Sequence, residues 1–238
     1  VERGCPYDCG VCPDHEQHMC LGLIDLTDDC NLACPTCFAD SKGSAYLTMD
    51  QIKAALDGFI EQEGVGAVIQ FSGGEPTMHP QIVEAVKEAV DRPTEVVMIN
   101  TNGIKFAQDE DLIKRLVDVS ENKLEIYLQF DGFTDEVHQK IRGAKLVDIK
   151  MKAIENMLKH GLPINLAAVI QRGVNEDQVG KIVEFGIETK GIRGVNFQPA
   201  FFAGRYDHDM NPMDRVTNTE IMDRLEKRSE ERRVGKEC

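Results

Sequence analysis

"DDCNLACPTCFAD", residues 28–40, sets Cys30, Cys34 and Cys37 within eight positions, directly after the apolar run "LGLIDL" (21–26). That run reads as a strand, so the thiols fall in the loop at its C-terminal end, where parallel α/β proteins place their chemistry. Closely spaced thiolates can gather on one iron-sulfur cluster or zinc. Three thiolates on a four-iron cube leave one iron without a protein ligand. An open coordination position is what separates a working metal site from a closed structural one.

The rest of the composition agrees with a metal site better than with disulfides. Of eight cysteines, seven precede residue 38, and Cys238 is the last residue of the 238. A disulfide framework would spread them along the chain. Lys and Arg number 27 against 41 Asp and Glu, a formal charge of −14 with no long basic run, which reads as a solvated acidic surface and argues against nucleic acid as a partner. Runs such as "VVMI" and "LAAVI" are far short of the roughly 20 apolar residues of a membrane span. The expectation is a soluble cytoplasmic protein, although a chain opening on Val1 leaves room for a lost leader.

Outward from the three-cysteine loop, strands and helices alternate. Thr48 and Gln51 form a capping-box start to a helix whose Ile52, Leu56, Phe59 and Ile60 share one face, and Gly64 ends it. Then come "AVIQF" (67–71), a helix over 80–90, "EVVMIN" (95–100), a helix near 109–118, and "LEIYLQF" (124–130). A short helix and a longer one near 147–160 lead to "INLAAVI" (164–170). A helix from Glu176, capped by Asn175, and the strand "GVNFQP" (194–199) follow. The alternation predicts βα units around a parallel sheet.

"GGEP", Gly73 to Pro76, ends the second strand. The C-x-x-x-C-x-x-C after the first strand followed by this GGE resembles the radical S-adenosylmethionine (SAM) superfamily over roughly residues 21–200. The resemblance implies an α/β fold, a partial (β/α)6 barrel, whose 4Fe-4S cluster is held by Cys30, Cys34 and Cys37. SAM chelates the open iron, and the reduced cluster splits it into methionine and a 5′-deoxyadenosyl radical. By the same resemblance, Gly73, Gly74 and Glu75 would receive the methionine part of SAM, the two glycines letting the backbone approach closely. Gln129 and Asp131 in "LQFDG" would face a ribose hydroxyl, with Gln171, Arg172 and Asn175 in "IQRGVNED" similarly placed; for Asn175 a helix N-cap is an equal reading. Asn102-Gly103 shapes the pocket floor or is simply a turn. Many family members carry an aromatic before the third cysteine; here Thr36 stands there and Phe38 follows.

The second group, "GCPYDCGVCPDHEQHMC", brings Cys5, Cys9, Cys12 and Cys20 together ahead of any strand, enough to close an auxiliary 4Fe-4S cluster or a tetrahedral zinc site. Its histidines, His15 and His18, read as solvated. His79 reads as packing or capping the next helix, and Met151 and Met157 as core. Residues 1–20 are thus expected to be a cysteine-rich auxiliary segment, 21–225 the core, and 226–238 a non-native or disordered tail, because "EKRSEERRVGKEC" lacks helical apolar periodicity at its end. The whole pattern resembles radical SAM proteins related to tetraether lipid synthase and to the class D methyltransferases acting on a dihydropterin. That implies C-H activation leading to C-C bond formation or methylation on a lipid or pterin-type small molecule, with an electron donor such as ferredoxin or flavodoxin. A radical SAM peptide or cofactor maturase is the alternative enzyme, and a non-catalytic iron-sulfur or zinc protein the alternative of another class.

Overall fold

The computed structural model describes residues 19, 21–39, 41, 43–206, 211, 213 and 215–232. Six strands, β1 (Gly22–Thr27), β2 (Ala67–Gly73), β3 (Thr94–Thr101), β4 (Leu124–Gln129), β5 (Ile164–Ile170) and β6 (Ile192–Pro199), form one parallel sheet in chain order. No β1–β6 pairing closes it among the described residues. This is the expected partial six-stranded barrel.

One register row shows how sequence becomes core. Ile24 pairs with Phe71, Phe71 with Ile99, Ile99 with Ile126, Ile126 with Ile164, and Ile164 with Ile192. These apolar side chains face the helices: α1 (Met49–Glu63), α2 (Ile82–Val90), α3 (Ile104–Gln108), α4 (Glu110–Val119), α5 (Asp135–Arg142), α6 (Val147–Lys159), α7 (Val179–Glu188) and α8 (Asn218–Arg232). Each fully buried Ile or Phe contributes about 1.5–3 kcal/mol. Alternate positions point to the other face, where Gln70, Ser72, Asn100, Tyr127, Gln129 and Asn165 stand among Leu23, Met98, Ala167 and Val169.

The helix signals hold in part. Thr48 and Gln51 make both bonds of the capping box, and Gly64 caps α1 at its C-terminus. Helix α7 starts at Val179 rather than Glu176, and Asn175 does not cap it. Met157 is buried, but Met151 is 38% exposed and belongs to no core face. His79 is structural as expected: its Nε2 bonds the Leu47 carbonyl and its Nδ1 accepts from the Gln81 N–H. The boundary expected at residue 226 falls inside α8, so 226–232 are helical; 233–238 lie outside the described residues. Cys5, Cys9, Cys12 and Cys20, with all of 1–18, also lie outside them. No helix among the described residues is long and apolar enough to cross a membrane.

Candidate active site at the strand ends

Strand β1 delivers the chain into the three-cysteine loop, and that loop is held from several sides. Thr36 Oγ1 donates to the Ile141 carbonyl at the end of α5 (3.0 Å). Asn102 Nδ2, just past β3, donates to Asn31 Oδ1 (2.6 Å), and the Arg205 N–H donates to the Cys37 carbonyl (2.9 Å). Cys37 closes a turn onto the Cys34 carbonyl (3.2 Å). Cys30, Cys34 and Cys37 are half-buried and form no disulfide.

Burial pushes the Cys30 thiol up to about 11, against a backbone hydrogen bond at Leu32. Burial also raises Cys34, although Arg142 beside it pulls the other way. A metal centre that takes these sulfurs must therefore displace their protons. No three His, Cys, Asp or Glu side chains among the described residues gather tightly enough for a single ion. A cube places a separate iron on each thiolate, so its ligands stand apart, and the three thiols of this loop, none of them in a disulfide, fit it.

The GGE turn ending β2 is a structural clasp. A Cβ on Gly73 would lie 2.2 Å from the Thr27 carbonyl oxygen, and one on Gly74 would lie 2.1 Å from that of Asp29. Gly73 also has φ +119°, which disfavours other residues. The Gly74 and Glu75 N–H groups donate to Thr27 O (2.7 Å) and Asp29 O (2.8 Å). So the glycines are required by the approach of the chain leaving β1, a reason the sequence reading did not find. Glu75 is fully buried. Its Oε1 accepts from Thr77 N, Thr77 Oγ1 and Thr101 Oγ1 (2.6 Å), and its Oε2 from Asn102 N (2.7 Å). Burial raises this carboxyl, and the bonds from Asn102, Thr101 and Thr77 oppose the rise. The carboxylate faces inward rather than toward an incoming ammonium.

Asp131 and Asn175 are likewise engaged within the protein. Asp131 is fully buried and chelated by Arg142, Nε to Oδ2 at 2.6 Å and Nη2 to Oδ1 at 2.8 Å, and the Val169 N–H donates to Oδ1 (2.9 Å). Burial would raise its carboxyl, but Arg142 carries it below the usual carboxylate range. Asn175, also fully buried, donates to the carbonyls of Asp131 (2.7 Å) and Val169 (2.8 Å) and accepts from Gln171 N (2.9 Å), stapling the ends of β4 and β5. Gln129 does sit on the open polar face at the end of β4. Gln171 follows β5, and Arg172 pairs with Glu220 of α8.

Sequence reasoning missed the buried cations and the polar face. Lys150 of α6 is wholly buried and donates to the Asn102 carbonyl (2.5 Å); burial, then the neighbouring Arg142, lowers its pKa to about 7. On the open face Asn100 Nδ2 donates to Ser72 Oγ (3.4 Å) and Gln198 Nε2 to Tyr127 Oη (3.1 Å), while Asn100 Oδ1 is buried and accepts from no described residue. The period-two polar positions of "AVIQFSG" and "LEIYLQ" carried that signal. A cleft of about 440 Å³ lies beside the thiol loop, lined by Thr27, Asp28, Ser41, Tyr46, Gly73 and Gly74 among others.

An open parallel sheet, with three thiols after β1 and a GGE turn after β2, defines a class, and sequence comparison agrees: the radical SAM superfamily model matches residues 24–186. The chain belongs to the radical SAM superfamily, whose members use a 4Fe-4S cluster and SAM. A 7,8-dihydro-6-hydroxymethylpterin dimethyltransferase of Methanocaldococcus jannaschii is 37% identical over 235 residues, covering 97% of this chain and 46% of that protein. A probable GTP 3′,8-cyclase of Thermococcus kodakarensis is 25% identical over 222 residues, 89% of this chain and 68% of that one. Among solved structures, Streptococcus suis SuiB bound to precursor peptide SuiA superposes with a TM-score of 0.70 at 18% identity, covering 90% of this chain and 47% of that one, a likeness of fold. The chain spans about half the length of the pterin dimethyltransferase it matches.

Proposed function

We propose that this chain is the core of a radical SAM enzyme that activates a C-H bond of a pterin-type small molecule and methylates it, the methyl carbon coming from a separate one-carbon donor because the SAM that is split keeps its own methyl in methionine. The carrying observation is the juxtaposition of the three-thiol loop after β1 with the GGE turn of β2, both beside one open sheet face. Cys30, Cys34 and Cys37 would hold the 4Fe-4S cluster. Bound there, the cluster would supply the electron that splits SAM into methionine and a 5′-deoxyadenosyl radical.

The chain's own residues do the rest. Gly73 and Gly74 fix the turn beside the loop, and Gln129 and Gln171, after β4 and β5, border the SAM pocket. Asp131, Glu75 and Asn175 hold that frame from beneath. The polar face favours one of the two substrate classes implied by the sequence. A lipid chain laid on Ser72, Asn100, Tyr127 and Gln198 would strip water from amides and hydroxyls without replacing their hydrogen bonds, whereas the rim of a pterin offers donors and acceptors. The 37% identity to a pterin dimethyltransferase supports the same choice. Cys5, Cys9, Cys12 and Cys20 would hold the auxiliary 4Fe-4S cluster or zinc, and a low-potential donor such as ferredoxin or flavodoxin would reduce the SAM cluster.

The test is anaerobic reconstitution of the full-length protein, reduction with dithionite, and incubation with SAM, 7,8-dihydro-6-hydroxymethylpterin and a one-carbon donor such as methylenetetrahydrofolate. Mass spectrometry should show 5′-deoxyadenosine and a pterin heavier by methyl groups. Deoxyadenosine formed with the pterin untouched would overturn the substrate class; no deoxyadenosine from a protein loaded with iron would overturn the SAM chemistry.

A further inference from the structure

Resting on the assignment of Cys30, Cys34 and Cys37 as cluster ligands, we propose that Arg142 is a positioning residue that sets the reduction equilibrium of that cluster through its fixed charge beside Cys34. The C-terminal turn of α5 is fastened to the thiol loop on both sides of this arginine. The Ile141 carbonyl accepts from Thr36 Oγ1 (3.0 Å), and Gly143 lies so near Pro35 that a Cβ there would sit 3.3 Å from its Cδ. Between these two contacts the buried guanidinium spends Nε and Nη2 on Asp131 and lies beside Cys34. Gly143, with φ +77°, ends α5 at this point.

Aimed in this way, the guanidinium is a fixed charge. Arginine stays protonated, its planar fork is locked by the bidentate carboxylate, and burial weakens the screening between it and its neighbours. Reduction adds one electron, and so one negative charge, to a centre already bearing three thiolates, with no bond made or broken and no proton moved; the electron comes from a low-potential one-electron donor. A cation fixed beside one of those sulfurs stabilises the reduced state more than the oxidised one, because the interaction grows with the negative charge it meets. Asp131 holds the arginine in place and, by its own charge, limits the effect. Lys150 spends its ammonium on the Asn102 carbonyl rather than on a sulfur.

The experiment is a redox titration of the reconstituted full chain, followed by the electron paramagnetic resonance signal that SAM perturbs, with iron per chain measured on the same samples. Arg142→Gln should move the equilibrium at least tenfold toward the oxidised cluster, which for one electron is about 59 mV. Asp131→Asn, which frees the arginine's charge, should move it the opposite way, and Arg142→Lys should restore most of the wild-type value. The double variant Asp131→Asn/Arg142→Gln leaves no buried charge unpaired, so it keeps the test alive if the single variants misfold. It should still lie on the oxidised side of wild type. A double variant with unchanged equilibrium, or single variants shifting in the same direction, overturns the inference while leaving the ligand assignment standing. Absence of any SAM-responsive signal from the wild-type protein overturns the ligand assignment itself.

Discussion

Asn102 Nδ2 donates to Asn31 Oδ1 across 2.6 Å, joining the end of β3 to the thiol loop one residue after Cys30. The same side chain accepts from the Ile104 N–H (3.0 Å) through its Oδ1, and its backbone serves Glu75 and Lys150. Asn102→Ala should leave the sheet intact but free the loop. We expect cluster iron to be lost to a chelator about tenfold faster, the equivalent of about 1.4 kcal/mol of lost restraint. An unchanged release rate would mean the contacts at Thr36 and Arg205 suffice to hold the loop.

Glu75 invites a second substitution. Each of its oxygens faces a backbone N–H that cannot turn round, Thr77 N at Oε1 and Asn102 N at Oε2. Glu75→Gln must therefore set its amide NH2 against a fixed donor in a buried site. Urea unfolding should show a loss of about 1–3 kcal/mol. Equal midpoints would mean that the buried group is already protonated and donating.

These two residues show what sequence does and does not expose. The strands were legible because a sheet covered by helices demands rows such as Ile24, Phe71, Ile99 and Ile126, and the thiol spacing was legible because ligands on one loop must be close in sequence. The partners of Asp131 and Asn175 were not. Arg142 lies 11 residues after Asp131, and Asn175 staples a carbonyl 44 residues before it, and no local pattern records either pairing. A polar residue at a strand end reads the same whether it meets a ligand or a buried guanidinium. "GVNED" looked like a capped helix start, but Asn175 spends its side chain on β4 and β5, and α7 begins only at Val179.

The glycines of the GGE turn provide a contrast within one chain. Gly73→Ala would force a Cβ against the Thr27 carbonyl at a backbone angle costing about 1–3 kcal/mol by itself, and Gly74→Ala would collide with Asp29. Both should unfold at markedly lower temperature than wild type. Gly58, exposed inside α1 with nothing near its missing Cβ, should behave oppositely, with Gly58→Ala gaining about 0.5–1 kcal/mol. If Gly73→Ala melted with wild type, the clasp between β1 and β2 would not be a constraint.

Lys150 should make stability depend on pH in a defined window. Its pKa falls from the ordinary 10.5 to about 7 in the fold, because burial strips water from the ammonium and Arg142 repels it. Between those values the unfolded chain carries a proton that the folded chain has shed, so unfolding takes up a proton and stability rises with pH. Below about 7 both states are protonated and the penalty is constant. Before metal loading, denaturant unfolding should gain up to about 1.4 kcal/mol per pH unit from this residue over pH 7 to 9. The window closes at 9 because Cys30, pushed up to about 11, then acts in the opposite sense: the unfolded thiol releases its proton first, and stability falls as pH rises. Lys150→Met should flatten the rise between 7 and 9 while keeping the fold, since a methionine fills the buried path without a charge to desolvate. Parallel curves for the two proteins would show that Lys150 keeps its proton in the fold, and that the carboxylates around Arg142 hold more negative charge than their hydrogen bonds imply.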